Sequence, residues 1–221
     1  MHRIYVHPLP VRIWHWLNAI GFIAMILTGF QIRYVGMLDV IPFRTAVRVH
    51  NWIGFALIAN YFIWLGFYAT SPQIRCYLPE LNPKKFFSGS VRQMRYYCYG
   101  MFKGDPNPHQ ISIYNKFNPM QAMLYQLVMV VLVPVLSYTG VLLWDAQRFS
   151  AQVNFFGGVR VVDTVHVLIF IFFVAYILVH PYLGTLGASR TGQYKAMITG
   201  YEEVEDAGEA AKSGDAPPGL P

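Results

Sequence analysis

Four long runs of apolar residues dominate the pattern along this 221-residue chain. They cover about residues 13–32, 49–69, 120–143 and 161–183. Each run has about 20 residues, the length that an α-helix needs to cross the hydrocarbon core of a bilayer. Pro134 falls inside the third run, where membrane helices tolerate proline. The pattern therefore predicts an all-α integral membrane protein, a bundle of four transmembrane helices.

The segments outside these runs are polar. The connection at about residues 70–119 contains several prolines, so we expect it to be irregular, with one short interfacial helix near Phe86–Met101. We expect residues 1–201 to form one membrane domain. The tail at residues 202–221 is rich in Glu, Asp, Ala, Gly and Pro. Because it has little apolar mass to bury, we predict that it is disordered.

Composition and charge support the membrane interpretation. Hydrophobic residues make up 55% of the chain and charged residues 13%, against about 25% charged residues in soluble domains. Of the 17 Lys and Arg residues, 12 fall in the N-terminal segment, the long connection and the C-terminal segment, and 5 fall on the opposite side. Basic residues favour the cytoplasmic side. Both termini and the long connection are therefore predicted to be cytoplasmic. Because this topology accounts for most of the net charge of +6, we predict no nucleic-acid partner.

Two cysteines, Cys76 and Cys98, lie in the long connection. They are too few for an iron–sulfur cluster or a cysteine-based zinc site. On a cytoplasmic connection we expect them to be free thiols.

Four of the seven histidines lie inside the predicted helices: His15, His50, His166 and His180. The other three, His2, His7 and His109, are in polar segments, where we expect a solvated or interfacial role. Ionisable residues within membrane helices are rare and usually functional. The four helical histidines are therefore the main candidates for a site.

The predicted depths of these histidines match in pairs. His166 and His180 are separated by 14 residues on the fourth helix, about 21 Å along its axis and within roughly 40° of one face. Because successive helices alternate in direction, His50 lies at the outer depth with His166. His15 lies at the inner depth with His180.

Two imidazoles at each of two depths fit two iron centres. Bis-histidine ligation leaves no open coordination position, so it favours electron transfer over substrate chemistry. A zinc or copper site would need three or four ligands at one depth. A proton relay is a further alternative. We predict two b-type haems, with Arg12, Arg33 and Arg48 near helix ends as candidates to pair with the haem propionates. The alternative for these arginines is an interfacial anchor.

At this point the sequence resembles a known family, the di-haem cytochrome b subunits of respiratory formate dehydrogenases, thiosulfate reductases and nickel–iron hydrogenases (prokaryotic cytochrome b561-like). The motifs that carry the resemblance lie around His15 (residues 12–18), His50 (residues 48–54), His166 and His180-Pro-Tyr, and before the third helix (residues 116–121). It covers nearly the whole chain up to Tyr201. The formate dehydrogenase and thiosulfate reductase type is most similar.

The resemblance implies a membrane-anchor electron-transfer subunit in a bacterial cytoplasmic (inner) membrane. Such a subunit works with an iron–sulfur subunit at the outer face and a catalytic subunit that holds molybdenum or tungsten pterin or nickel–iron. It also implies exchange of electrons with menaquinone or ubiquinone near the cytoplasmic face, with His180 bordering the quinone and Asn118 and Gln121 as contact candidates. The alternative for Asn118 and Gln121 is helix capping, because Asn before Pro is a natural helix entry.

Two other functions compete with this interpretation. A self-contained ferric or superoxide reductase would hold haem but need no iron–sulfur partner. A transporter or structural anchor would hold no haem. The single interrupted helix, at Pro134, makes a transporter the weaker alternative.

Overall fold

The computed structural model describes residues 2–72, 74, 78–105, 107–109, 117–185 and 191–204. It divides the chain into two compact units. The bundle unit comprises Pro10–Ser71 and Leu127–Leu183, and the sheet unit comprises Met1–Leu9, Pro72–Gln126 and Gly184–Pro221. Cys76 and Lys116 lie outside the described residues.

The described elements are predominantly helical. In chain order they are β1 (His2–Tyr5), α1 (Leu9–Arg33), α2 (Phe43–Thr70), α3 (Pro83–Arg95), α4 (Pro119–Trp144), α5 (Ser150–Phe155), α6 (Val159–Gly184), α7 (Gly192–Thr199) and β2 (Tyr201–Val204). Four of them, α1, α2, α4 and α6, are long and apolar enough to cross a membrane. The predicted all-α membrane fold is confirmed, and each spanning helix extends beyond its predicted bounds.

The structure contains helical turns that the apolar pattern did not predict. Between α4 and α6 the short helix α5 packs Val153 against Leu142 and Val162, all three almost fully buried. Gly157 and Gly158 have φ of +93° and +97°, a conformation that L side chains rarely adopt. These two glycines therefore make the turn from which α6 starts.

In the sheet unit, α3 occupies the place of the predicted interfacial helix. Asn82 caps its start, and its side chain accepts from the amides of Lys84 and Lys85 at 3.1 and 3.4 Å. The helix continues through a π-helical turn, Tyr96–Gly100, to Met101–Lys103. It stops at Gly104, which has a φ of +80°.

The two ends of the described chain pair as an antiparallel two-stranded sheet. His2 is opposite Val204 and Tyr5 is opposite Tyr201, whose ring lies 5.1 Å away. The carbonyl of Gly200 accepts from the amides of Val6 and His7 at 2.9 and 3.1 Å. This pairing joins the N-terminal and C-terminal segments within the sheet unit.

The strand β2 corrects the prediction that disorder begins at residue 202. Residues 202–204 are in β2 because strand β1 satisfies their backbone groups. The composition of the tail carries no information about a pairing partner so distant in sequence. Residues 205–221 lie outside the described residues.

Within α4 the backbone changes register just before Pro134. The helix is α-helical over Pro119–Gln126, π-helical over Leu127–Leu132 and α-helical again over Val133–Trp144. In a π-helix a carbonyl accepts from the amide five residues later. For Met129 that residue is Pro134, which has no N–H. The Tyr61 hydroxyl of α2 donates to the Met129 carbonyl at 3.1 Å, so a side chain supplies the missing donor.

This contact leads to a test of how α4 tolerates its proline. Tyr61→Phe leaves the Met129 carbonyl without its side-chain donor, and we expect it to lower the free energy of unfolding by about 1 kcal/mol. In a Pro134→Ala background the same substitution is expected to have less than half that effect, because alanine restores a backbone donor at this position. Unfolding of the purified protein in mixed detergent micelles measures both. Tyr138→Phe on the exposed face of α4 is the matched control. Equal effects in both backgrounds would contradict the account.

Candidate haem site

The predicted outer pair, His50 and His166, lines one cavity of the bundle unit. All four spanning helices contribute to its walls. His50 comes from the first third of α2 and His166 from the first third of α6. The rest of the lining is mainly apolar and aromatic, and includes Phe22, Met25 and Phe170. The structure therefore brings the two histidines to a shared, largely apolar space.

Each of these imidazoles is held by a threonine from a neighbouring helix. Thr28 Oγ1 of α1 lies 2.9 Å from His50 Nδ1. Thr139 Oγ1 of α4 lies 3.0 Å from His166 Nδ1. Both threonines are buried, with 8% and 7% of their surface exposed. The two histidines thus have the same kind of polar partner at the same ring nitrogen.

A glycine follows each threonine and leaves room for the ring. A Cβ atom at Gly29 would lie 3.2 Å from His50 Cε1, and one at Gly140 would lie 3.3 Å from His166 Cε1. Both distances are shorter than ordinary van der Waals contact. The absent side chains allow each imidazole to approach the backbone of the neighbouring helix.

The predicted inner pair, His15 and His180, also comes together. The centroids of the two rings are 6.1 Å apart and their planes are inclined by 49°. Tyr176, one turn before His180, stacks on the His180 ring at 5.2 Å and 14°. His15 Nδ1 is buried and has no hydrogen-bond partner among the described residues. The inner pair therefore differs from the outer pair in its polar surroundings.

The donor set fits b-type haem. The four helical histidines form two pairs. In the described part of the chain, no group of three or more His, Cys, Asp or Glu side chains is placed to hold a metal ion. Imidazole pairs are suitable axial ligands for haem iron. The glycines beside His50 and His166, together with Gly54 in the cavity wall, leave space that side chains would fill.

The three candidate propionate partners have different surroundings. Arg33 at the end of α1 lies 3.7 Å from the carboxylate of Asp163 on α6, so its guanidinium already has an anionic partner. Arg12 is partly buried near the start of α1, and Arg48 is exposed on α2. A propionate contact stays a prediction for all three.

Asn118 and Gln121, predicted to contact quinone, cap α4 in the sheet unit. Asn118 Oδ1 accepts from the Gln121 amide at 2.9 Å, and Gln121 Oε1 accepts from the Asn118 amide at 3.1 Å. Asn118 Nδ2 also donates to the Tyr97 hydroxyl at 3.3 Å, and the residue is 1% exposed. This reciprocal cap is the structural role that the sequence left open beside the quinone role.

Cys98 and His109, which the sequence assigns to no site, are also in the sheet unit. Cys98 is exposed and free. The His109 amide donates to Asn107 Oδ1 at 3.0 Å.

Sequence analysis did not single out Thr28 and Thr139. The available signal was the dipeptide Thr-Gly, which occurs inside two different apolar runs, at residues 28–29 and 139–140. Nothing in the sequence alone shows that each dipeptide faces a histidine, because the histidines are on other helices.

Comparison with known proteins identifies the family. The family model described as "Prokaryotic cytochrome b561" matches residues 6–200. "Putative cytochrome YdhU" of Escherichia coli (strain K12) is 32% identical to the chain, over 90% of this chain and 74% of that protein. The chain belongs to the prokaryotic cytochrome b561 family.

Two further relatives carry names that describe subunits. "Probable Ni/Fe-hydrogenase B-type cytochrome subunit" of Azotobacter vinelandii is 24% identical, over 92% of this chain and 90% of that protein. "Putative protein-methionine-sulfoxide reductase subunit YedZ1" of Azospira oryzae is 25% identical, over 89% and 96%. With its family and its four apolar helices, the chain is a multi-pass membrane cytochrome that binds b-type haem and transfers electrons as a subunit.

The glycines beside the outer pair give a direct test of the site. Gly140→Ala places a Cβ against His166, and overpacking of this kind costs about 1–3 kcal/mol. We expect haem retention in the purified protein to weaken about tenfold, within that range. The haem-to-protein ratio, from the reduced pyridine haemochrome spectrum, measures this. Gly66→Ala on α2 is the control, because among the described residues no side chain and no other element lies within 4 Å of its added Cβ. Equal haem content in the two variants would contradict the prediction.

Proposed function

We propose that this protein is the membrane-anchor electron-transfer subunit of a quinone-linked respiratory oxidoreductase. In this proposal it holds two b haems, one between His50 and His166 and one between His15 and His180. When bound, each bis-histidine haem supplies reversible one-electron transfer between ferric and ferrous iron. The chain links an iron–sulfur partner at the outer face with quinone near the cytoplasmic face.

The pairing of the histidines is the observation that carries the proposal. His166 and His180 lie 14 residues apart on α6, which corresponds to about 21 Å along a helix axis. Each contacts or shares a cavity with a histidine from another helix. Two ligand pairs separated by most of the thickness of a bilayer suit stepwise movement of charge across it.

Orientation in the membrane is the second part of the proposal. We place both termini and the long connection in the cytoplasm and the protein in the bacterial cytoplasmic (inner) membrane. The distribution of basic residues supports this orientation. The β1–β2 pairing supports a common side for both termini.

The names of two relatives support a partnered role. One is described as a subunit of a nickel–iron hydrogenase and the other as a subunit of a protein-methionine-sulfoxide reductase. We propose that this chain likewise joins an iron–sulfur subunit and a catalytic subunit that holds molybdenum or tungsten pterin or nickel–iron. The catalytic subunit carries out the substrate chemistry, and the membrane chain carries the electrons.

The histidine pairing predicts which haem each substitution removes. His50→Ala and His166→Ala are expected to remove the same haem, and His15→Ala and His180→Ala the other, because each haem loses one of its two ligands. Redox titration of the reduced α-band in purified protein resolves the two components. His109→Ala, outside the spanning helices, is the control. Loss of the same component in His50→Ala and His15→Ala would overturn the pairing.

The quinone step predicts a second observable. Menaquinol or ubiquinol analogues added to the oxidised protein are expected to reduce its haems at a rate that saturates with quinol concentration. His180, Asn118 and Gln121 are the proposed quinone contacts. Asn118→Ser keeps an oxygen that caps α4 but loses the amide group. A lower rate in that variant supports the quinone contact, whereas an unchanged rate assigns Asn118 to capping alone. Absence of quinol reduction in the wild type would contradict the quinone step.

A further inference from the structure

The hydroxyl contacts of Thr28 and Thr139 determine which way their hydrogen bonds run. Thr28 Oγ1 lies 2.8 Å from the Ala24 carbonyl, and Thr139 Oγ1 lies 2.8 Å from the Val135 carbonyl. A carbonyl oxygen only accepts, so each hydroxyl donates its single hydrogen to its own helix. The lone pairs of the hydroxyl oxygen then face the imidazole.

This direction fixes the tautomer of the two histidines. An oxygen that has no hydrogen left to offer can only accept from His50 Nδ1 and His166 Nδ1, at 2.9 and 3.0 Å. Both rings therefore carry their proton on Nδ1. The lone pair on Nε2 is then available to bind a metal. Histidines that ligate metals commonly donate a hydrogen bond from their other ring nitrogen in this way.

The same dipeptide provides both the bond and the space. Thr28-Gly29 and Thr139-Gly140 are on different helices, yet each threonine holds the Nδ1 of an imidazole while the next glycine admits its Cε1 edge. The same Thr-Gly dipeptide therefore contacts both histidines of the outer pair, His50 and His166. The other site lacks it at His15, whose buried Nδ1 has no partner among the described residues.

We propose that Thr28 and Thr139 are positioning residues that set the reduction potential of the haem between His50 and His166. The proposal rests on the ligation proposed above. A hydrogen bond from Nδ1–H makes the imidazole a stronger donor, which favours ferric iron over ferrous iron. The two threonines therefore lower the potential of this haem relative to the haem between His15 and His180.

The test uses the full-length haem-loaded protein and the variants Thr28→Val and Thr139→Val. Valine keeps the shape of threonine but removes the acceptor oxygen. We expect both haems to be retained and the midpoint potential of one component to rise in each variant. Because two such contacts act on one iron, we expect a larger rise in the double variant. A tenfold loss of preference for ferric iron corresponds to about 59 mV for a one-electron couple.

Three further variants separate positioning from a general effect on the helix. Thr28→Ser and Thr139→Ser keep the hydroxyl, so we expect these variants to have the wild-type midpoint potential. Thr164→Val removes the same kind of bond, from Thr164 Oγ1 to the Arg160 carbonyl at 2.8 Å. Its side chain is exposed, and its hydroxyl is bonded to its own helix, so we expect both potentials to stay unchanged. The low-spin ferric electron paramagnetic resonance signal gives an independent readout of the ligand field.

The outcomes distinguish failure of this inference from failure of the proposed function. His50→Ala identifies which component belongs to the His50–His166 haem. A protein without haem, or one in which His50→Ala and His166→Ala remove different components, overturns the proposed function. Two retained haems with an unchanged potential in the valine variants, or a shift of the other component, overturn the role of the threonines. If a valine variant fails to retain haem, the alanine variant at that position replaces it and is judged by the same shift.

Discussion

Inside a bilayer every backbone polar group needs a partner that the protein supplies, because no water is available in the hydrocarbon core. A buried polar side chain is likewise costly without one. This constraint connects the local features of the bundle unit. The Met129 carbonyl, for which Pro134 has no N–H to donate, accepts a hydrogen bond from the Tyr61 hydroxyl. The Nδ1 atoms of His50 and His166 receive threonine oxygens. These polar groups of the spanning helices are thereby assigned to specific contacts between helices.

The two histidine pairs have different polar surroundings. His50 and His166 are held by hydroxyls whose own hydrogens are bonded to their helices. His15 and His180 meet beside aromatic rings, with Tyr176 stacked on His180. Hydrogen bonds and the polarity around a ligand are among the features that set the properties of a haem site. Family membership identifies the cofactor type, whereas these contacts distinguish one site from the other.

Much of the fold was predictable because the membrane imposes a simple pattern. Long apolar runs give the spanning helices, and the 14-residue separation of His166 and His180 gives two depths on one face. The depth argument needs only the direction of each helix, so it predicted partners that the structure brings together. The π-helical segment before Pro134 was not predictable, because it depends on a donor from another helix. Thr28 and Thr139 were missed for the same reason: their function lies in contacts between residues far apart in sequence.

The pairing of strands β1 and β2 could not be predicted from the composition of the two ends. It also has a consequence for biogenesis. Strand β1 cannot find its partner until Val204 has been synthesised, after all four apolar helices of the described chain. At translation rates of about 5–20 residues per second, roughly 10–40 s separate the two strands. For the two strands to pair, β1 must remain during that time on the side of the membrane that β2 later reaches. Because the two strands can pair only on one side of a membrane, closure of the sheet requires the chain between them to cross that membrane an even number of times.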